Sequence, residues 1–375
     1  MTGQFQPGAK LCERFYWECV RPIVDTEFPQ LPHAAGLIDS GSEVLGFDDV
    51  TSTDHHWGPR VLLFLQPGEH RQFAPAVFEA LAQQLPYEFD GYPTNFTLPN
   101  PDDNGTQLLQ RATQWPINHR VICYTVQGFW VDYLNFDTEQ PLEPADWLSF
   151  SEQRLRTLTT GPVYHDEIGL NAARARFNYY PHDVWLYLLA AGWARIGQEE
   201  HLMGRAGLAG DEIGSALIGS RLVRDSMRLC FLMERTYAPY PKWFGTAFRR
   251  LACGPGLEPI LWGALQAGDW QQRETFLVQA YERLAVKHNA LGLTEPLPEQ
   301  ARQFFGRPLR VMALHGFADA LLKQIRDPHV KQIAERPLIG SLDLFSDNTD
   351  LVSAPVWRPR IRGLYSNFDA QLGYS

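Results

Sequence analysis

The sequence predicts an α+β protein: an N-terminal mixed β-sheet with helices, followed by a C-terminal α-helical bundle. Two apolar segments flank a Gly-Ser turn early in the chain, and the strand-like segment HRVICYTV follows at 119–126. After about Pro144, apolar residues recur at helical spacing, with Pro or Asp/Gly at several helix starts. We therefore predict domains over 1–145 and 146–337 and a tail over 338–375 that packs back on the body.

The N-terminal domain is predicted from alternating helix and strand signals. Phe15, Tyr16, Cys19 and Ile23 recur at helical spacing before the break at Phe28-Pro29. The β-branched and aromatic residues of HRVICYTV favour a strand. The predicted elements are a helix over 8–27, strands on both sides of 41–42, a helix over 73–85, a polar loop over 100–104 and a strand over 119–126.

The C-terminal domain is predicted to be helical throughout. Proline suits the first turn of a helix because its missing N–H has no partner there in any case. Prolines or Asp/Gly pairs mark several of the expected starts. The predicted helices span 181–196, 211–236, 241–251, 270–284 and 298–324.

Composition narrows the class of partner. The chain has 375 residues and a formal net charge of −10, and its densest basic group is the short segment RPRIR at 358–362. Proteins that bind extended nucleic acid usually carry a basic face, so a small nucleotide or metabolite is the expected partner. Five widely spaced cysteines form no CxxC pair, no apolar run reaches the roughly 20 residues of a membrane helix, and the N-terminus shows no signal pattern. We expect a cytoplasmic protein without a membrane segment, and the sequence leaves its oligomeric state open.

The most informative segment is GLIDSGSEVLGFDDVTSTDHHWGPRVLLFL at 36–65. A turn at Gly41 and Ser42 can present backbone N–H groups and a hydroxyl to a phosphate. Asp54 and His56 are expected at the opening of the second strand, where residues two apart point to the same side. The pattern predicts a site for metal-assisted transfer of a nucleotide.

The same block resembles the Gly-Ser and Asp-x-Asp signature of the nucleotidyltransferase superfamily, which includes polymerase-beta-like and aminoglycoside nucleotidyltransferases. The chain is also similar to a bacterial family of unknown function within that superfamily. The segments that carry this second resemblance are DHHWGPRV at 54–61, YPHDVWLYLL at 180–189, GDEIGSALIGSRLVRDSMRLCFLMERTYAPYPKWFGTAF at 210–248 and GSLDLFSDNTDL at 340–351. The resemblance implies a metal and triphosphate site on the N-terminal sheet, and a helical bundle that closes over the nucleotide.

The resemblance also implies roles for individual residues. Gly41 and Ser42 would hold the β- and γ-phosphates, and Asp54 would be a catalytic carboxylate and a metal ligand. His56 stands where the second Asp is expected, and it would be the second catalytic residue and metal ligand. The resemblance implies a divalent metal as cofactor, usually Mg²⁺. A neutral imidazole adds no negative charge and suits transition ions better than Mg²⁺, so Mn²⁺ is the other candidate. An ordinary turn at 41–42, and histidines unrelated to metal, remain the alternatives.

A third carboxylate is expected on a later strand, but HRVICYTV contains none. Asp132, predicted on the following helix, and Glu88 or Asp90 are the nearest candidates, with solvated surface positions as the alternative. Asp211 and Glu212 open a long helix, where they are either first-turn capping groups or a base for the acceptor hydroxyl.

Lys242 and Tyr240 are predicted to contact the nucleotide. Pro241 suits the first helical position and places Lys242 in the first turn, where the helix dipole disfavours a cation unless an anion is near. A triphosphate would be that anion, and the matching lysine of related transferases contacts phosphates. The alternative is a Lys242 side chain that lies along Trp243. Arg221, Arg224, Asp225 and Arg228 are interpreted as a salt-bridge ladder within one helix.

The predicted function is metal-dependent transfer of a nucleoside monophosphate from ATP or another nucleoside triphosphate to a hydroxyl of a small acceptor. The alternative is a catalytically degenerate nucleotide sensor or interaction protein on the same fold, favoured by His56 and by the missing carboxylate. The acceptor and the base preference cannot be derived from the sequence.

Overall fold

The structure is a computed structural model that describes residues 5–54, 57–103 and 105–366, and of Asp54 it describes the backbone only. The chain divides into two compact units. The first contains the described residues up to Gln140 together with Gln153–Asn178, and the second contains Pro141–Glu152 and the described residues from Tyr179 onward. The predicted boundary at 145/146 falls inside Pro141–Glu152, after which the chain returns to the first unit.

A four-stranded mixed sheet forms the centre of the first unit. Its strands are β1 His33–Gly36, β2 Arg60–Leu65, β3 Arg120–Tyr124 and β4 Val163–Asp166, arranged in the order β3-β2-β1-β4. β1 is antiparallel to both neighbours, whereas β2 and β3 are parallel, with Arg60 opposite Arg120. The predicted strands are confirmed. β4 is absent from the prediction, because its sequence VYHD lacks a long apolar run.

Helices cover both faces of this sheet. Val61, Leu63 and Leu65 share a buried core with the N-terminal helices and the helix after β2, and Phe64 packs edge-on against Phe129 at a ring separation of 5.4 Å. All six residues of β2 are buried, which explains its continuous apolar run. The helices of this unit span Gly8–Phe15, Arg21–Glu27, Pro67–Gln84, Val126–Leu134, Glu152–Thr160 and Leu170–Ala175, with a π-helical turn at Tyr16–Val20.

Short elements complete the first unit. The predicted loop over 100–104 contains a 3-10 turn at Pro101–Asp103, and Asn104 lies outside the described residues. The remaining short elements are strands at Glu88–Phe89 and Tyr92–Pro93 and a 3-10 helix at Val50–Asp54.

The second unit is helical, and it is organised around a helical hairpin. Gly210, with φ of 80°, ends the helix His182–Leu208, and Asp211 caps the helix Glu212–Met233 by accepting a 2.7 Å hydrogen bond from the N–H of Gly214. So short a connection makes the two helices antiparallel neighbours. The other helices span Pro144–Ser149, Pro241–Arg249, Gly254–Gln266, Trp270–Ala290, Phe317–Leu322, Pro328–Ala334, Leu342–Phe345, Thr349–Ser353 and Arg358–Gly363.

The predicted class, a mixed sheet with helices followed by a helical region, is confirmed. Most predicted helices occur with shifted ends, but the helix expected over 298–324 is wrong. That segment contains short strands at Arg302–Gln303 and Arg310–Val311, a 3-10 turn at Ala313–His315 and only then a helix. Gly306 and Gly316 have positive φ there and interrupt the helix. Within the described ranges, no helix combines the length and apolar character needed to cross a bilayer.

The segment after Leu338 belongs to the second unit. Tyr365 donates a 2.8 Å hydrogen bond to the carbonyl of Gly340. Arg358 and Arg362 of the basic segment both bind Asp146, at 3.0 and 2.8 Å. Two of the three arginines of RPRIR are therefore paired with an acidic side chain within the unit.

Candidate functional site

The loop that follows β1 is folded around a buried arginine at the start of β2. Nη1 of Arg60 donates to both carboxylate oxygens of Asp39 at 2.7 Å, and Nε and Nη2 donate to Oε1 of Glu43 at 2.9 and 2.6 Å. Nη2 also donates to the carbonyl of Ser40 at 2.7 Å. These contacts fix the backbone on both sides of the Gly-Ser turn. We call Asp39, Glu43 and Arg60 the loop ion cluster.

The loop ion cluster changes the proton affinity of Arg60. Burial disfavours the charged guanidinium, but the nearby carboxylates of Asp39 and Glu43 outweigh this effect and raise the pKa of Arg60 above its ordinary value. Arg60 is therefore a permanent cation, and its N–H groups are committed to the loop.

Gly41 is the tightest point of the turn. Its φ is +153°, and a Cβ atom there would lie 2.6 Å from Oε2 of Glu43 and 2.7 Å from Nη2 of Arg60. Both atoms are held in the ion cluster, so they cannot move aside cheaply. Glycine is required at this position by close approach as well as by backbone conformation.

Ser42 is half-buried, and its carbonyl accepts a 3.0 Å hydrogen bond from the N–H of Phe47. Among the described residues, its hydroxyl has no hydrogen-bond partner. The turn thus holds the backbone of Ser42 in place and leaves its side-chain oxygen available.

A second, half-buried cation lies beside the cluster. Arg120 begins β3 directly opposite Arg60, and its guanidinium lies over the ring of Phe96 at 5.6 Å. Burial lowers the pKa of Arg120 to about 10, repulsion by Arg60 adds to this effect, and Asp39 and Glu43 partly offset it. Two guanidinium groups and two carboxylates therefore balance each other at this end of the sheet.

The position of Asp54 differs from the prediction. Asp54 ends the 3-10 helix Val50–Asp54, and β2 begins only at Arg60. Asp49 starts this helix by accepting N–H bonds from Thr51 and Ser52 at 2.9 and 3.1 Å. The alternation of a β-strand therefore does not relate Asp54 to His56. His55 and His56 lie outside the described residues, as does the Asp54 side chain, so their proposed roles stay predictions.

The structure describes all three candidates for the third carboxylate. β3 carries no acidic residue, and Asp132 lies on the exposed face of the helix Val126–Leu134, as predicted. Asp90 accepts hydrogen bonds from Arg14 and Gln6. Glu88 is an exposed residue of a short strand. None of the three belongs to the loop ion cluster.

Lys242 lies in the first turn of the helix Pro241–Arg249, as predicted, and Tyr240 occupies the N-cap position. The Nζ atom of Lys242 is 4.9 Å from the ring centroid of Trp243. This cation–π contact agrees with the alternative interpretation of Lys242. The side chain is nevertheless exposed and free to extend toward an anion.

Asp211 and Glu212 have structural contacts. Asp211 is the N-cap described above, which agrees with the capping interpretation. Glu212 accepts from the N–H of Trp270 at 3.2 Å and pairs with Arg273 at 3.3 Å. Asp211 thus caps its own helix, whereas Glu212 connects this helix to the helix Trp270–Ala290.

The salt-bridge ladder expected within the helix Glu212–Met233 is wrong, because most of its charged residues pair with residues outside this helix. Arg221 pairs with Glu199 at 2.8 Å, and buried Asp225 pairs with Arg195 at 3.3 Å as well as with its neighbour Arg224. Most of these partners lie on another helix, because the antiparallel hairpin brings the two charged faces together.

Sequence reasoning missed Asp39, Glu43, Arg60 and Arg120. One signal was present: each arginine stands at the first position of an apolar strand, RVLLFL or RVICY. An arginine at such a position requires a buried acidic partner or a ligand, because an unpaired charge is costly away from water.

A comparison with known protein families matches part of the chain. Residues 147–244 match the family described as a domain of unknown function, DUF4037. The predicted similarity to a family of unknown function is therefore confirmed over these residues. No curated protein matches the chain.

The chain also resembles a solved structure, described as a nucleotidyltransferase-like protein from Exiguobacterium sibiricum 255-15. The identity is 11%, the TM-score is 0.30, and the match covers 74% of this chain and 78% of that one. A likeness of this size carries no argument about chemistry, which has to come from the residues themselves.

Proposed function

We propose that the first unit binds a nucleoside triphosphate at the turn of Gly41 and Ser42 and transfers its nucleoside monophosphate to a hydroxyl of a small acceptor. The observation that carries the proposal is the available hydroxyl of Ser42 on a turn held by the loop ion cluster. A fixed turn loses little conformational entropy when a ligand binds, so binding energy is not spent on ordering it.

Electrostatics are compatible with a polyphosphate at this turn. Asp39 and Glu43 would repel it if they were unpaired, but both are bonded to Arg60. Arg120 adds a further positive charge near by. Backbone N–H groups of the turn and the Ser42 hydroxyl are the proposed donors to the β- and γ-phosphates.

The described carboxylates at this turn do not fit a divalent ion. Asp39 accepts from Arg60 through both oxygens and Glu43 through Oε1, so an ion at these carboxylates would compete with those bonds. We therefore assign the ion, Mg²⁺ or Mn²⁺, to Asp54 and His56, and derive no step through it. When bound, such an ion stabilises negative charge on the phosphates.

The proposed reaction is an in-line displacement. The acceptor oxygen forms a bond to the α-phosphorus, the bond from the α-phosphorus to the bridging oxygen breaks, and pyrophosphate leaves with that electron pair. The proton of the acceptor hydroxyl goes to a base. This chain's contribution is to hold the leaving phosphates at Ser42.

Isothermal titration of the full chain with ATP, in the presence of Mg²⁺ or Mn²⁺, tests the binding step. We expect Ser42→Ala to weaken binding about tenfold or more, the usual cost of one hydrogen bond to a charged group. Ser40→Ala is the matched control, because its side chain is exposed and only its carbonyl contacts the loop ion cluster. Equal affinities of both variants and the wild type would contradict the proposal.

Release of pyrophosphate with a panel of small hydroxylated acceptors tests the transfer step. Asp54→Asn should abolish turnover and leave the fold intact. Lys242→Ala should raise the KM for the nucleotide, whereas Lys323→Ala, an exposed lysine elsewhere in the second unit, should not. Retention of full turnover in Asp54→Asn would exclude the proposed chemistry.

A specific observation favours a second candidate, a nucleotide-binding protein without turnover. β3 contributes no carboxylate, and His56 replaces the second acidic residue of the pattern. His56→Asp separates the two functions. Pyrophosphate release that appears only in His56→Asp supports the non-catalytic protein, and release by the wild type that Asp54→Asn removes supports the enzyme.

A further inference from the structure

Two histidines and a glutamate meet at the end of β1 that lies away from the Gly-Ser turn. His33 begins β1, His165 lies in β4, and Glu167 follows β4 directly. The N–H of Glu167 donates to the carbonyl of His33 at 3.1 Å, so the antiparallel pairing of β1 and β4 brings them together. One ligand atom from each side chain lies within 4.8 Å of the other two. We call these residues the His-His-Glu cluster.

The hydrogen bonds of His33 prepare one ring nitrogen to accept. Nδ1 lies 3.0 Å from the carbonyl of Leu31, which can only accept, so Nδ1 carries the proton. Nε2 then holds a lone pair, which accepts a 2.8 Å hydrogen bond from the hydroxyl of Tyr16, so a metal ion can bind Nε2 only by displacing this hydroxyl. A backbone carbonyl that fixes the tautomer in this way is the usual outer partner of a metal-binding histidine.

His165 carries an unsatisfied nitrogen. Its Nε2 is buried without a hydrogen-bond partner among the described residues, and a carboxylate oxygen of Glu167 lies 3.2 Å away. The rings of His33 and His165 are 4.8 Å apart, centroid to centroid. A buried polar atom without a partner costs free energy, so this nitrogen is expected to have a ligand.

One positive charge faces the cluster. Nη1 of Arg21 lies 3.5 Å from Nδ1 of His165, which is the ring nitrogen opposite Nε2. Arg21 is paired with Asp25 at 3.2 Å and lies over the ring of Trp17 at 4.8 Å. Asp25 offsets the charge of Arg21. The 3.5 Å contact is at the limit of a hydrogen bond, and an ion at Nε2 requires the proton of His165 on Nδ1, so the N–H of Arg21 has to turn away from Nδ1 when an ion binds.

We propose that Nε2 of His33, Nε2 of His165 and one carboxylate oxygen of Glu167 bind a divalent transition ion of the Zn²⁺ class, with water as the fourth ligand. Zinc binds sets of two imidazoles and one carboxylate, whereas magnesium prefers ligands that are all oxygen atoms. Glu167 is half-exposed, so the ion reaches the cluster from solvent. The ion would tie the edge strand β4 to β1.

This proposal is independent of the proposed nucleotide site, because it uses none of its residues and lies at the other end of β1. Its test uses the full chain, stripped of metal with a chelator. The chain carries Asp54→Ala and His56→Ala to remove the other two predicted metal ligands. We expect about one equivalent of Zn²⁺ to bind, measured by equilibrium dialysis and elemental analysis.

Variants of the cluster locate the ion. Glu167→Gln should weaken Zn²⁺ binding about tenfold or more, and His165→Gln should abolish it. His201→Gln, at a partly exposed histidine of the second unit, is the matched control and should bind like the parent. Glu167 is half-exposed, so its variant folds even if the buried histidine variants do not. Binding below about a tenth of an equivalent, or binding that Glu167→Gln leaves unchanged, would overturn the proposal.

Binding of Co²⁺ gives a readout that does not depend on activity. Cobalt held by two imidazoles and a carboxylate in a four-coordinate site absorbs strongly in the visible range, whereas the hexaaqua ion absorbs weakly. The visible band should appear in the parent and in His201→Gln and be lost in Glu167→Gln. A band of equal strength in Glu167→Gln would exclude the cluster as the site.

Discussion

Replacement of Arg60 by methionine tests whether the loop ion cluster holds the Gly-Ser turn. Arg60 is 3% exposed, and its removal leaves the carboxylates of Asp39 and Glu43 without their partner. Breaking a buried ion pair by removing one partner costs about 3–5 kcal/mol. For a unit of this size, that corresponds to a loss of roughly 6–20 °C in the melting temperature.

The structure also predicts which carboxylate carries most of the cost. The side chain of Glu43 is 5% exposed and that of Asp39 is 19% exposed, so water can reach Asp39 more readily after the guanidinium is gone. Glu43→Gln combined with Arg60→Met should therefore recover more of the lost stability than Asp39→Asn combined with Arg60→Met.

Calorimetry of the full chain, and thermal melting followed by circular dichroism, measure these differences in stability. The quantity compared is the midpoint of the unfolding transition that Arg60→Met shifts. Titration with ATP shows whether the weakened turn also loses affinity. A loss below about 1 kcal/mol for Arg60→Met, or a double variant no more stable than the single one, would refute the reasoning, since both results require that the carboxylates remain well solvated.

Three further predictions concern single positions. Burial lowers the pKa of His288 to about 4 and raises the pKa of Glu200 to about 7. Between pH 4.5 and 6.5, His288 gains a proton on unfolding, which makes the free energy of unfolding rise with pH. Over the same window Glu200 loses a proton on unfolding, which makes the free energy of unfolding fall with pH. The two slopes, each up to about 1.4 kcal/mol per pH unit, oppose each other. The second unit of His288→Asn should therefore lose stability as the pH rises through this window, and the second unit of Glu200→Gln should gain stability. Urea unfolding measures both pH profiles, and parallel profiles for the two variants would contradict these roles of His288 and Glu200. Gly41→Ala should lower both stability and ATP affinity, because its Cβ would contact the loop ion cluster, and an unchanged melting temperature would show that the turn can relax. Asp211→Ala should cost about 1 kcal/mol by loss of the N-cap, and Asp211→Asn, which keeps an accepting oxygen, should lose much less in the same unfolding assay.

Much of the fold could be predicted because its signals are local. The run RVLLFL is apolar at nearly every position, and the helix starting at Pro241 has its proline at the first turn, so short windows of sequence suffice. The strand VYHD gave no such signal, since its residues are neither continuously apolar nor alternating. The helix expected over 298–324 failed for the opposite reason: the apolar spacing was present, but the glycines within it adopt backbone conformations that a helix excludes.

The candidate site was predicted only in part. The turn at Gly41 and Ser42 was found from its residue types, and the capping role of Asp211 from its position before a helix. The contribution of Arg60 was missed because Arg60 acts through its ion pairs with Asp39 and Glu43, which are 21 and 17 positions away in the sequence. Nothing in a local window shows that these charges share one buried space.

The sequence by itself determined most of the helices and three strands of the central sheet, because propensity and apolar spacing act over a few residues. The tertiary structure alone decided which side chains meet. His33 and Glu167 are 134 positions apart, and they become neighbours only through the hydrogen-bonded register of two antiparallel strands. A register is a property of the paired strands, so it cannot be derived from either strand alone.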